Sequence, residues 1–326
     1  MISRIRTLKS SVAPFKDRKI ASANRILSFK DKIVMMMDSI SASETRDSLT
    51  ESLSVKEKGA EHVTGGWKSE DGRLSCGYSS FRGKRLIMED FYDVNWEEID
   101  GNRISMFGVF DGHGGPRAAK YLKAHLFNNL TAHPLLLDDT KKAISDTYHK
   151  TDADFLESER DNCRDDGSTA STAVLIGNHL YVANVGDSRA VVSKCGEAIP
   201  LSEDHKPNRA DERKRVEDAG GTVMWAGTWR VGGVLAMSRA FGNRNLKSYV
   251  IADPEIQHRE ISEEFEVLVV ASDGLWDVMM NEDAIAIAKR EELPEDAARK
   301  LTEAAYSRGS ADNITCLVVK FHHSCH

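Results

Sequence analysis

Apolar and polar positions along this chain fall into blocks whose period changes. Residues 105–110 and 265–271 are near-continuous apolar runs of strand length, and an aspartate follows each within two residues, Asp111 and Asp273. Residues 168–176 and 180–185, separated by Gly177, Asn178 and His179, predict a hairpin, continued through a Gly186-Asp187 turn into residues 190–193 as a meander. Elsewhere the period is helical. Pro116 opens a segment whose Ala118, Ala119, Leu122, Leu126 and Leu130 share one helical face, and residues 144–156 repeat the pattern. Further helices are predicted over 211–219, 282–289 and 296–306. Hairpin-linked strands with helices in separate blocks indicate an α+β layer fold and not a doubly wound parallel sheet.

A chain of 326 residues with 40% apolar content suits one or two domains, and a single domain behind a tail fits the charge pattern best. The first 34 residues carry nine Lys or Arg against Asp17 and Asp31, a balance of +7, while the whole chain is at −7. The remainder is therefore strongly acidic, which argues against nucleic acid as a partner. Ile2, Ile5, Leu8, Val12 and Phe15 recur at helical spacing among Ser and Arg, a pattern shared by organelle transit peptides and basic surface helices. Residues 38–72, rich in Ser, Glu and Gly, read as a linker. Residues 1–73 are thus expected to be a disordered basic extension and linker, and residues 74–322 the folded domain. The longest apolar run of the tail, residues 33–37, is far short of the ~20 a membrane span needs. Cys76, Cys163, Cys195, Cys316 and Cys325 are odd in number and never at C-x-x-C spacing, which suits reduced thiols in cytoplasm or nucleus, with organelle targeting by the basic tail as the alternative.

The acidic strand ends carry the chemistry. A solvated surface Asp has no reason to follow an apolar run, so such carboxylates are expected to aim at one place. Two of them about 4 Å apart repel by roughly 4 kcal/mol at an effective dielectric near 20, so a cluster needs cations. Asp and Glu oxygens without a Cys or His pair at zinc spacing favour Mg²⁺ or Mn²⁺ over Zn²⁺.

Four segments carry these acids: Arg85 to Glu89-Asp90, Asp111-Gly112-His113-Gly114-Gly115, Asp273-Gly274-Leu275-Trp276-Asp277 and Ser310-Ala311-Asp312-Asn313. With residues 220–229 and 238–242, they make the chain resemble a type 2C, metal-dependent Ser/Thr protein phosphatase, with a plant-type pattern, over about residues 74 to 321. The resemblance implies a four-layer αββα fold: a β-sandwich of two antiparallel sheets flanked by helices on both faces, with metals at one edge. It implies hydrolysis of phosphoserine and phosphothreonine in phosphoproteins by a hydroxide bridging two Mg²⁺ or Mn²⁺ ions. Asp111 would bridge them, the Gly112 carbonyl and Glu89 would complete one, and Asp273 with Asp312 would hold the other. Asp90 joins this metal set by orienting metal-bound waters. Arg85 would bind the substrate phosphate, since a guanidinium pairs two phosphate oxygens. His113 would be the general acid, as an imidazole of pKa near ~6.5 suits proton delivery to the leaving oxygen. Asp187 and Asp277 would help hold a third, weaker ion, and residues 222–234 would form a flap beside the cleft. The resemblance expects Asp where this chain has Asn243. A monomer is expected, since no motif specifies an assembly.

Three other readings compete. Gly186-Asp187-Ser188-Arg189-Ala190 nearly matches the G-x-S-x-G elbow of serine hydrolases, but Ser188 leads into a strand-like run where an elbow leads into a helix. Cys76 and Arg82 have the C-x₅-R spacing of cysteine phosphatases, with too little glycine between them for a phosphate-cradling loop. A catalytically dead scaffold would have lost metal ligands, and Glu89, Asp111, Asp273 and Asp312 are all present.

Overall fold

The protein is described from a computed structural model over residues 62–323. In chain order its elements are β1 (His62–Lys68), β2 (Leu74–Phe81), β3 (Phe91–Ile99), β4 (Asn102–Phe110), β5 (Gly112–His113), α1 (Arg117–Thr131), α2 (Thr140–Ser158), β6 (Gly167–Ser168), β7 (Ala170–Ile176) and β8 (His179–Val185). There follow β9 (Arg189–Lys194), β10 (Glu197–Pro200), α3 (Ala210–Asp218), β11 (Val223–Trp225), β12 (Trp229–Val231), β13 (Phe241–Gly242), β14 (Glu255–Glu260), β15 (Phe265–Ala271), α4 (Asp273–Trp276), α5 (Asn281–Arg290), α6 (Pro294–Ser307) and β16 (Ile314–Phe321).

Two antiparallel sheets form the centre, a six-stranded one in the order β1-β2-β16-β15-β9-β10 and a five-stranded one in the order β14-β8-β7-β4-β3. Three apolar layers explain why the strands read as unbroken hydrophobic runs. In β15, Leu268 and Val270 point between the sheets with Leu317 and Val319 of β16 and Phe107 and Val109 of β4. The alternate residues Val267, Val269 and Ala271 pack outward against Ala284 and Ala288 of α5 and Ala298 and Leu301 of α6. On the other side Ile104 and Met106 of β4 meet Leu122 and Leu126 of α1 and Ile144 and Tyr148 of α2. Strands covered on both faces lose the polar alternation of a half-exposed strand. The four-layer αββα sandwich expected from the sequence is the fold.

Two expectations need correction. The turn after β8 does not continue a meander, because β8 pairs with β7 and β14 in the five-stranded sheet whereas β9 pairs with β15 and β10 in the six-stranded one. Apolar patterning marks a strand but not its sheet, and the residues 186–188 cross between the two. The boundary at residue 74 also moves, since β1 lies inside the stretch read as linker and pairs with β2 along its whole length, from His62 opposite Phe81 to Lys68 opposite Ser75. Its polar residues and Gly65-Gly66 pair hide an edge strand. The glycines leave room for neighbours: a Cβ would fall 2.3 Å from the Tyr78 hydroxyl at Gly65 and 2.6 Å from the Glu295 carboxylate at Gly66, so either side chain would have to move aside. The rest of the extension, residues 1–61, and Cys325 lie outside the described residues.

Phe107, 1% exposed, fills the space between the sheets. Phe107→Ala is expected to lose about 3–5 kcal/mol of stability in urea unfolding, the cost of an aromatic-sized cavity. A loss below about 1 kcal/mol would contradict its place in the core.

Candidate active site

Both sheets deliver carboxylates to one end of the sandwich. Asp111 follows the last residue of β4, Asp273 opens α4 two residues beyond β15, and Asp312 lies two residues before β16. The loop from β2 to β3 brings Arg85, Glu89 and Asp90, and the crossing after β8 brings Asp187. Their charges act on one another. Burial and then Asp273, Asp90, Asp187 and Asp312 push the Asp111 carboxyl well above its usual range. Asp273 is raised by burial and then by Asp187, Asp277 and Asp312. Burial pushes Asp90 up to about 7 against the lowering effect of hydrogen bonds from Ser272 and Thr315. Glu89 is raised by burial, while a Gly115 backbone N–H and Arg85 oppose the rise.

Hydrogen bonds fix the backbone under these acids. The Asp111 N–H donates to Thr169 Oγ1 at 3.1 Å, the Thr169 N–H donates back to the Asp111 carbonyl at 2.9 Å, and Thr169 Oγ1 touches Ser188 Oγ at 2.7 Å. Ser272 Oγ donates to Asp90 at 2.7 Å. Asn313 sews the Arg85 loop to the start of β16, its Oδ1 accepting from the Glu89 N–H at 2.8 Å and its Nδ2 donating to the carbonyls of Arg82 and Ile87. At Gly115 (φ 137°) a Cβ would sit 2.1 Å from Asp166 Oδ2, so only glycine lets the turn close on that buried carboxylate. Asp166 is itself held by Arg117 through Nη2 at 2.7 Å and Nε at 3.0 Å.

The rim carries the remaining expected residues. Arg85 is half exposed and ion-paired to Asp312 at 2.5 Å. His113 Nε2 meets Asn243 Oδ1 at 2.8 Å, and its buried Nδ1 has no partner among the described residues. Burial lowers the imidazole pKa, and the Asn243 contact opposes this. Asn243, in left-handed backbone (φ 47°), thus presents a neutral amide to His113 where the resemblance expects a carboxylate. Asp187 is 2% exposed and pairs with Lys206 Nζ at 2.6 Å, while Asp277 is exposed one turn after Asp273. The β11–β12 hairpin occupies the stretch expected as a flap, with its own small core of Val216, Val223, Val231 and Leu235 and an exposed Trp225 in edge contact with Trp229.

Thr169, Asp166, Lys206 and Asn313 support the site but escape a reading of the sequence, because each acts on a partner distant in the chain. A further acidic group, Asp211, Glu212 and Glu255, sits close enough to suggest a metal. Its charge is already met. Burial works against the Glu212 charge, but Arg239, Arg215 and Ser238 hold its carboxyl well below the usual range, and Arg209 and Arg239 pair with Glu255. The rival nucleophiles fail on geometry: Ser188 is fully buried against Thr169, and Cys76 lies in the core of β2 where burial pushes its thiol far up.

Residues 74–314 match the family described as protein phosphatase 2C. The chain belongs to that family. It is 73% identical over 264 residues to the rice protein "Probable protein phosphatase 2C member 13, mitochondrial", covering 81% of this chain and 73% of that protein. It is 68% identical over 289 residues to the Arabidopsis thaliana protein "Probable protein phosphatase 2C 76", covering 89% and 69%. The serine-threonine phosphatase 2C of Toxoplasma gondii superposes with a TM-score of 0.73 at 26% identity, over 81% of this chain and 99% of that one. A bacterial serine phosphatase shares the fold with a TM-score of 0.61 at 17% identity, over 77% and 99%. As a 2C phosphatase this plant-type chain is a metal-dependent hydrolase that dephosphorylates Ser and Thr of phosphoproteins. Among the described residues no helix is long and apolar enough to cross a membrane.

The raised carboxyls make a pH prediction for the 2C domain. Asp90, Asp111 and Asp273 bind protons more tightly folded than unfolded, so their contribution is fully present below about pH 4 and is lost as pH rises through the folded values, about 7 for Asp90. In EDTA the domain is expected to lose on the order of 2 kcal/mol between pH 5 and 8 beyond any loss seen in Mg²⁺. Identical pH profiles with and without metal would contradict the repulsion.

Proposed function

We propose that the chain hydrolyses phosphoserine and phosphothreonine with two Mg²⁺ or Mn²⁺ ions, one held by Asp111, the Gly112 carbonyl and Glu89, the other by Asp111, Asp273 and Asp312. The observation that carries this reading is the convergence of carboxylates from both sheets, with Asp111 and Asp273 raised by burial and by the charge of their acidic neighbours. All-oxygen donors of this kind suit hard divalent cations. When bound, the ions supply charge neutralisation and a water acidified for in-line attack on phosphorus. Asp90, tied to Ser272, orients ligands from behind the first layer of contacts.

The protein's own groups do the rest. Arg85 exchanges the Asp312 carboxylate for substrate phosphate, both of which suit a planar guanidinium, so the ion pair in the structure holds the side chain close to its working place. His113 hands a proton to the leaving serine or threonine oxygen. In the imidazolium, Nε2–H donates to Asn243 Oδ1 and the unpartnered Nδ1 carries the proton for that transfer. The flap, with its exposed Trp225 and Met224, contributes to the choice of substrate. The chain is expected to act as a monomer.

Phosphate release from a phosphothreonine peptide is expected to appear with Mn²⁺ or Mg²⁺ and to vanish with EDTA. His113→Ala is expected to keep its metal and lower kcat by about 10²–10⁴-fold, the usual worth of general acid catalysis. Asp111→Asn is expected to lose both turnover and metal. Full activity in either purified variant overturns the role given to that residue. For location, residues 1–34 are basic and poor in acids, as import signals are. A fluorescent fusion is expected in cytoplasm and nucleus with or without these residues; movement to an organelle only when they are present would assign them a targeting role instead.

A further inference from the structure

Asp187 is buried, yet only half of its carboxylate is satisfied. Oδ2 accepts a hydrogen bond from Lys206 Nζ at 2.6 Å, while Oδ1 is shielded from solvent and has no donor among the described residues. A hydrogen bond to that oxygen needs a donor about 2.7–3.0 Å away, whereas Mg²⁺ sits about 2.0–2.1 Å from its ligands. Oδ1 is a buried carboxylate oxygen that no hydrogen bond among the described residues satisfies. Asp187 acts first among charges on Asp273, with Asp277 next, so the three carboxylates share one field.

Lys206 is not a surface lysine that happens to lean this way. The His205 N–H donates to the Gly186 carbonyl at 3.0 Å, and the Gly186 N–H meets His205 Nδ1 at 3.1 Å. The Ser238 N–H and Oγ both donate to the His205 carbonyl, at 2.8 and 3.0 Å. The loop that carries Lys206 is thereby pinned to the turn that carries Asp187. Burial works against the ammonium's charge, but Asp187, Asp273 and Asp277 outweigh it.

Asp273 belongs to the two-ion site, which leaves Asp187 and Asp277 without a divalent partner. We propose that Lys206 is a built-in competitor for a third cation: its ammonium holds Asp187, so the site made by Asp187 and Asp277 takes a further divalent ion only when that ammonium is displaced. This inference rests on the two-ion reading above. A tethered group competes at an effective concentration in the millimolar range or higher, so the third ion binds only when free metal is abundant. Occupancy then reports metal supply, while the two tight ions stay in place.

The test is Mn²⁺ binding to the full chain, followed by the EPR signal of free Mn²⁺, for the native protein, Lys206→Met, Lys206→Arg and Asp187→Asn. The native chain is expected to bind two ions tightly and a third at least tenfold more weakly. Lys206→Met is expected to tighten the third site tenfold or more, Lys206→Arg to keep it weak, and Asp187→Asn to remove it. Occupancy of the two tight sites checks the fold of each variant, because they draw on both sheets. Should Lys206→Met be unstable without metal, its melting temperature is expected to rise more than the native protein's between micromolar and millimolar Mn²⁺. A third site unchanged or weakened in Lys206→Met, with two tight ions retained, overturns this inference alone. No tight Mn²⁺ in any variant overturns the two-ion reading as well.

Discussion

Like charges held close together in a partly desolvated place are the constraint on which this structure turns. Asp90, Asp111 and Asp273 are buried where neighbouring carboxylates, Asp187 and Asp312 among them, raise their affinity for protons, an arrangement that costs stability unless something balances it. Part of the balance is internal: Arg85 on Asp312, Lys206 on Asp187, and the hydroxyl of Ser272 on Asp90. The remainder is available to divalent ions, in keeping with a family that depends on metals. The apolar layers on either side of each sheet are what hold the strand ends in place against this repulsion.

The division of ligands between sheets makes the site a product of the whole sandwich. Asp111 comes from the five-stranded sheet, while Asp273 and Asp312 flank adjacent strands of the six-stranded one. On the two-ion reading proposed above, neither sheet alone supplies the ligands. Side chains such as Phe107 and Leu268 pack in the core between the sheets that carry these acids. The buried Glu212, Arg215 and Arg239 network anchors α3 to the segment that leads to Asn243.

Much of this was legible in the chain. Residues 105–110 and 265–271 read as strands from their near-continuous apolar runs, and an acid at the end of each pointed to a shared site. Helices α1 and α2 followed from the spacing of Ala118 to Leu130 and from residues 144–156. What failed has a physical reason. Sheet membership depends on long-range pairing, so the turn at Gly186 looked like a meander although it crosses between sheets. The strand β1 is an edge strand of mixed polarity and two glycines, so it lacked the apolar signal of its neighbours. Lys206 and Asn313 each act across a large sequence separation, on Asp187 in one case and on the loop from Arg82 to Glu89 in the other; no local pattern marks Lys206, and the segment that contains Asn313 does not reveal its partners. Asn243 was visible as a departure, but only the fold shows that its amide lies on His113.

The most direct measurement of the central claim is anomalous diffraction at the manganese edge from crystals of the protein grown with Mn²⁺. Two strong peaks are expected among the strand-end carboxylates, one touching Asp111, the Gly112 carbonyl and Glu89 and the other touching Asp111, Asp273 and Asp312. Peaks only at Asp211, Glu212 and Glu255, or none among the strand-end acids, would contradict that claim.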